Sequence, residues 1–143
     1  MNVIICIDDK NGMAFNHRRQ SQDRLILADL LEVTKGKAIH MPPYTAKIFD
    51  FSQSKNIKVV DSPHIDCSQG EYCFIEEFDP AAFEEKIETL IIYKWNKVYP
   101  ADVHFTIDLS EGGRWKLTES EDFAGSSHEK ITREIYTTTK RNL

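Results

Sequence analysis

The chain has 143 residues, 41% of them hydrophobic and 29% charged, with a net charge of −5. That balance suits one domain over residues 1–143, large enough to bury a core of its own. No apolar run approaches the roughly 18 residues needed to cross a bilayer, and the charge is unevenly spread. Residues 1–60 carry nine Lys/Arg against six Asp/Glu, or +3, and residues 61–143 carry nine against seventeen, or −8. No strongly basic face is offered to duplex nucleic acid, so nucleic acid and membrane are both excluded as expected partners. The basic half suits a small anion, and the acidic half suits solubility.

The opening MNVIICIDDK is an apolar strand over Asn2 to Ile7, of the kind buried on both faces. It lacks the basic start and long apolar middle of a signal peptide, so a cytoplasmic location is expected. Asp8 to Gly12 ends the strand as a polar turn. Met13 and Phe15 then sit in a loop before Asn16-His17-Arg18-Arg19. Such a loop either covers a pocket or simply packs down. From Ser21 the spacing of Leu27, Leu30, Leu31 and Thr34 predicts a helix, capped by Ser21 and stopped at Gly36. Ala38 to Met41 reads as a strand. Pro42-Pro43 opens a second helix running to about Phe51. Ile57 to Val60 is the next strand, and 61–70 a loop.

Tyr72 to Ile75 reads as a strand with Glu76 and Glu77 at its end. Asp79-Pro80 starts a third helix through Lys86, with Phe83 and Ile87 facing inwards. Leu90 to Tyr93 is a second doubly buried strand. Trp95-Asn96-Lys97 follows it directly, a plausible floor and rim for a pocket. Val103, Phe105 and Ile107 alternate with polar residues as a strand with one wet face. Arg114 to Thr118 is a strand, 119–127 a polar loop, and Lys130 to Thr138 a closing strand. Parallel crossovers first and antiparallel strands last imply a three-layer α/β domain around a central mixed sheet.

The element order resembles that of dihydrofolate reductase. VIICIDDKNGMAF is similar to that family's first strand and substrate-covering loop, the helix from Ser21 to its pterin-contacting helix, and KAIHM at 37–41 to its second strand. SSHEKITREIYTTTKR resembles its last strand and basic finish. The resemblance implies a flanked mixed sheet and an acidic group on the first helix, for which Asp23 and Asp29 are both candidates. The family follows its second strand with a Gly-Arg-Lys/His-Thr segment that holds NADPH phosphates. Here Met41-Pro42-Pro43-Tyr44-Thr45 stands in that place, and proline has no amide hydrogen to donate. Where the family has a double glycine, this chain has Phe74-Ile75-Glu76-Glu77, whose carboxylates repel a pyrophosphate. No cofactor is therefore expected. The chain is also similar to short Firmicutes proteins sometimes labelled ribonuclease Z. That chemistry needs a tight histidine cluster for two zinc ions. The five histidines, His17, His40, His64, His104 and His128, stand at least 23 residues apart.

Several groups carry possible chemistry. The three cysteines, Cys6, Cys67 and Cys73, are expected as free thiols, and Cys6 as a core residue. His64, Cys67 and Cys73 offer zinc three ligands without an evident fourth, and the alternative is a surface loop with free cysteines. Cys67 or Cys73 with a histidine offers a nucleophile pair, with no local signature to support it. Ser127-His128-Glu129-Lys130 sets an imidazole beside an acid and a base, or is a solvated strand entrance. Arg18, Arg19 and Lys97 are candidate anion ligands at the end of a central strand. Trp95 offers a stacking surface and Asn96 a hydrogen-bonding edge; the alternatives are a core tryptophan and arginines paired with Asp8, Asp9 or Asp102. The expected ligand site is thus Asp9, Asn11, Arg18, Arg19, Asp23, Trp95, Asn96 and Lys97, taking an unidentified small molecule. An enzyme using the same pocket, reductase or hydrolase, and an interaction module docking through the acidic half are the alternatives.

Overall fold

The computed structural model describes residues 1–50 and 54–139. In chain order its elements are β1 (Asn2–Ile7), β2 (Gly12–Phe15), β3 (Arg18–Arg19), α1 (Arg24–Val33), β4 (Ile39–Met41), α2 (Pro43–Ala46) and β5 (Ile57–Val59). There follow α3 (Pro63–Asp66), β6 (Tyr72–Phe74), a 3₁₀ segment (Pro80–Lys86), β7 (Thr89–Lys94), β8 (Val103–His104), β9 (Trp115–Phe123) and β10 (Ile131–Thr138). Seven strands form one mixed sheet in the order β5-β4-β6-β1-β7-β10-β9. β1 lies at its centre, paired in parallel with β6 on one side and β7 on the other. β4 continues the parallel half through β6 and β5, and β10 and β9 close the other edge antiparallel.

Alternation along the central strands divides the core in two. Ile4 of β1 and Ile91 and Tyr93 of β7 point to one face, where Ile26 and Leu30 of α1 cover them. Val3, Ile5, Leu90 and Ile92 point to the other face, under Ile87, Phe105 and Ile107. The second face is thus roofed by the 3₁₀ segment and an extended chain rather than by a long helix. Both central strands being buried on each side is what near-continuous apolar runs lead to.

Several local expectations are corrected. Helix α1 is capped by Asp23, not Ser21: Asp23 takes extended backbone angles and its Oδ1 accepts from the Leu25 amide at 2.9 Å. A carboxylate suits the positive end of the helix dipole as well as the cap, and the Ser21 hydroxyl is engaged elsewhere. The second helix is one turn, Pro43–Ala46, after which Phe49 packs edge-on against Phe74. Its expected end at Phe51 lies outside the described residues, as does the basic Lys140-Arg141 finish. The third helix is a 3₁₀ segment broken at Phe83, whose ring stacks on His64. The loop expected over 61–70 contains the short helix α3. The strand expected over 103–107 is only Val103–His104, and the loop expected over 119–127 is strand as far as Phe123.

One unit went unread. β2, β3 and β8 form a separate three-stranded antiparallel sheet, order β3-β2-β8. The turn between β2 and β3 is only Asn16-His17, both with positive φ (51° and 61°). Two left-handed residues match the twist of a tight hairpin. The segment after β1 is therefore a hairpin pinned to Val103–His104, not an open loop.

Candidate functional site

β1, β4, β5, β6 and β7 run parallel, so their carboxyl ends share one rim, where open α/β sheets receive ligands. Asp8 stands on it after β1, Tyr44 after β4, Glu76 after β6 and Trp95 after β7. Asp8 is 3% exposed and ties the rim together. It accepts from the Gly12 amide at 2.7 Å, the Lys10 amide at 2.8 Å, Gln20 Nε2 at 3.0 Å and the Tyr99 amide at 3.1 Å. Burial alone would raise its pKa, but these donors outweigh it and lower the pKa overall. A side chain at Gly12 would collide with Ala101, Gln20 and Asp8, which explains a glycine there.

The hairpin lowers Arg19 onto the ends of β4 and β6. Its guanidinium meets the Glu76 carboxylate through Nε at 2.9 Å and Nη2 at 3.0 Å, a two-pronged pair. Nη2 also donates to the Tyr44 carbonyl at 3.1 Å, and the guanidinium lies 4.1 Å from the Tyr44 ring centroid. The Tyr44 hydroxyl in turn accepts from the Arg19 amide at 3.1 Å. The paired side chains are 13% and 8% exposed, so the pair is largely shut off from water. Burial opposes the Arg19 charge, but the Glu76 carboxylate outweighs it and raises the arginine's pKa.

A second cluster forms where the loop after β9 meets the start of α1. Asp23 Oδ2 lies 2.9 Å from His128 Nδ1, and both side chains are all but inaccessible. Asp23 also accepts from the amides of Leu25, Ser126 and Ser127 at 2.9–3.0 Å. Burial would raise its pKa, but the Ser126 and Ser127 amides and His128 override this and hold it well below the carboxylate range. An ionised carboxylate only accepts, so His128 Nδ1 carries a proton, and in the neutral ring Nε2 is then the acceptor. Two hydroxyls converge on Nε2: Tyr99 Oη at 2.9 Å and Ser21 Oγ at 3.2 Å. Trp95 stacks on the imidazole with ring centroids 4.8 Å apart. A methyl group on Gly125 would overlap the Asp23 carboxylate, so only glycine lets the loop approach this closely.

The residues read from the sequence divide among these features. Asp23 and Trp95 meet through His128, and Arg19 is held by Glu76. Arg18 is exposed on the hairpin, and Asn11 is exposed in a left-handed turn. Asp9 is exposed and its amide donates to the Lys97 carbonyl at 2.9 Å. Asn96 has positive φ, and its Nδ2 donates to the Lys130 carbonyl and Thr132 Oγ1, tying it to β10. Trp95, Asn96 and Lys97 line a shallow cleft of about 450 Å³ with Glu129 and Lys130. The other acidic candidate, Asp29, accepts from Tyr93 Oη at 2.6 Å and from Arg133 at 2.7 Å.

The sequence reading weighed His128 only beside Glu129 and Lys130, and took neither Tyr99 nor Ser21 as a site residue. His128 is 105 positions from Asp23, and no local signature joins them. The signal available was Gly125-Ser126-Ser127 before a histidine, a run of small donors able to wrap a carboxylate.

His64 lies against Phe78 and Phe83. The cysteines are unpaired. Burial pushes Cys67 up to about 11 and Cys73 up to about 12, far from thiolate at neutral pH. Among the described residues, no three His, Cys, Asp or Glu side chains are grouped to hold a metal ion. No described helix is long and apolar enough to cross a membrane.

No protein-family model and no curated protein matches the sequence. Among solved structures the chain is similar to dihydrofolate reductase from Enterococcus faecalis, complexed with NADP(H) and RAB-propyl. The likeness has a TM-score of 0.66 at 10% identity, over 97% of this chain and 96% of that one. The fold is therefore dihydrofolate reductase-like.

Proposed function

We propose that this is a small-molecule-binding protein on a dihydrofolate reductase-like scaffold, without NADPH-dependent reduction. The observation that carries the reading is the Arg19–Glu76 pair under the Tyr44 ring. Arg19 Nε and Nη2 are engaged by Glu76, and Nη2 also by the Tyr44 carbonyl, at the carboxyl ends of β4 and β6. A dinucleotide seated there would have to break a buried ion pair and place its pyrophosphate beside Glu76 and Glu77. Breaking such a pair costs about 3–5 kcal/mol, roughly two to three and a half decades of affinity. The Enterococcus faecalis enzyme is complexed with NADP(H); this chain fills the ends of β4 and β6 with its own side chains.

The ligand we assign instead is a small molecule with an anionic group, held at the cleft of Trp95, Asn96, Lys97, Glu129 and Lys130. Two lysines flank that cleft, and its size lies within the range of small-ligand sites. A thermal-shift series tests the reading. NADPH and dihydrofolate leave the melting temperature unchanged, whereas at least one member of a set of nucleoside monophosphates and carboxypterins without a glutamate tail raises it. That shift is lost in the Lys97→Glu, Lys130→Glu double variant. No shift with any anion in the set, or one that survives the double variant, rejects the cleft.

A further inference from the structure

We propose that Ser21, His128 and Asp23 form an acyl-transfer site that hydrolyses small carboxylic esters. The proposal stands apart from the anion cleft and from the loss of reduction, because it rests on the hydrogen-bonded chain alone.

Three features separate this cluster from an ordinary buried ion pair. First, the chain runs outwards: the fully buried Asp23 carboxylate, then the buried imidazole, then hydroxyls on Ser21 and Tyr99, which are only half-buried. The second ring nitrogen faces two weakly acidic hydroxyls. Second, the imidazole is fixed in plane by Trp95 and in tautomer by Asp23, so Nε2 is a preset base. Third, Asp23 has its charge met by the Leu25, Ser126 and Ser127 amides before His128 is counted. It can therefore stay ionised while the ring next to it becomes cationic.

The chemistry balances with water as the only co-reactant. Ser21 Oγ forms a bond to the ester carbonyl carbon as its proton passes to His128 Nε2. Collapse of the tetrahedral species breaks the bond to the alcohol oxygen, which takes that proton and leaves. Water, deprotonated by the same nitrogen, then attacks the acyl-serine. The carboxylic acid departs and the Ser21 hydroxyl is restored. The Tyr99 hydroxyl shares Nε2 with Ser21, and is free to donate to the carbonyl oxygen once Ser21 has given up its proton. Its backbone is anchored by the Tyr99 amide on Asp8, which holds the phenol in place.

A fluorophosphonate probe tests the nucleophile directly, because it forms an Oγ–phosphorus bond and expels fluoride. Intact-mass and peptide-mapping measurements on the wild-type chain should find one adduct, on Ser21. Ser21→Ala should abolish the adduct with an unchanged melting temperature, and His128→Gln should slow labelling by about 100-fold. Turnover of p-nitrophenyl acetate should follow the same order. Asp23 acts through the ring, and nitrogen NMR reads its part: His128 should be protonated on Nδ1 in the wild type and shift towards Nε2 in Asp23→Asn. No adduct on wild-type Ser21, an adduct elsewhere, or an Nε2-protonated wild-type His128 would overturn the proposal.

Discussion

At the scale of single residues, Asp23 carries the largest testable consequence. Its carboxyl is buried, yet amides and an imidazole keep it ionised to unusually low pH. A depressed folded-state pKa contributes stability above the unfolded value of about 4, and that contribution drains away as pH falls towards the folded value. Unfolding free energy measured by urea titration is therefore expected to drop between about pH 5 and about pH 2. Asp23→Asn should flatten that decline. Asp8, also depressed, supplies a remaining slope, so the variant reduces the dependence without erasing it. This residue shows what was legible beforehand and what was not. An acidic residue near the helix start was legible as a partner for the helix dipole, but the cap was read two residues early, at Ser21. That the same carboxylate reaches His128 depends on where the β9–β10 loop falls, a long-range fact no local pattern encodes.

Between residues and the whole lie the elements, and the hairpin β2–β3 is the one on which the site depends. It brings Arg19 to Glu76, and its turn uses two residues in the left-handed region without a glycine. His17→Gly relieves strain at a position where φ is 61° and should raise stability by about 0.5–1 kcal/mol. Denaturant midpoints check this; a lower midpoint would refute the turn geometry. The pair it delivers should behave as a buried ion pair. Arg19→Leu alone strands the Glu76 charge and costs about 3 kcal/mol, while adding Glu76→Leu recovers most of that loss. Additive losses in that cycle would mean that the two do not interact. The hairpin escaped sequence reading because Asn-His lacks the glycine that usually marks such turns. β9 was misread for a related reason. Glu119 and Glu121 look like loop residues, but Arg133 on the neighbouring strand binds both carboxylates, at 2.6 and 2.8 Å.

Over the whole molecule, the mixed sheet was legible because two apolar runs, Asn2–Ile7 and Leu90–Tyr93, read as strands buried on both faces. Early crossovers and late antiparallel strands then indicated that the sheet is mixed. The proline pair and the glutamates at 76–77 also indicated what stands at the strand ends. Hidden from sequence was how the space is filled, since Arg19 comes from a separate small sheet. The central claim is that this filling leaves no seat for a reduced dinucleotide. Isothermal titration of NADPH into the intact chain tests it most directly. The account predicts no saturable heat and no rise in melting temperature at millimolar cofactor. Saturable binding of NADPH in the low micromolar range, with a melt raised by several degrees as mass action at about 100 times Kd requires, would contradict it.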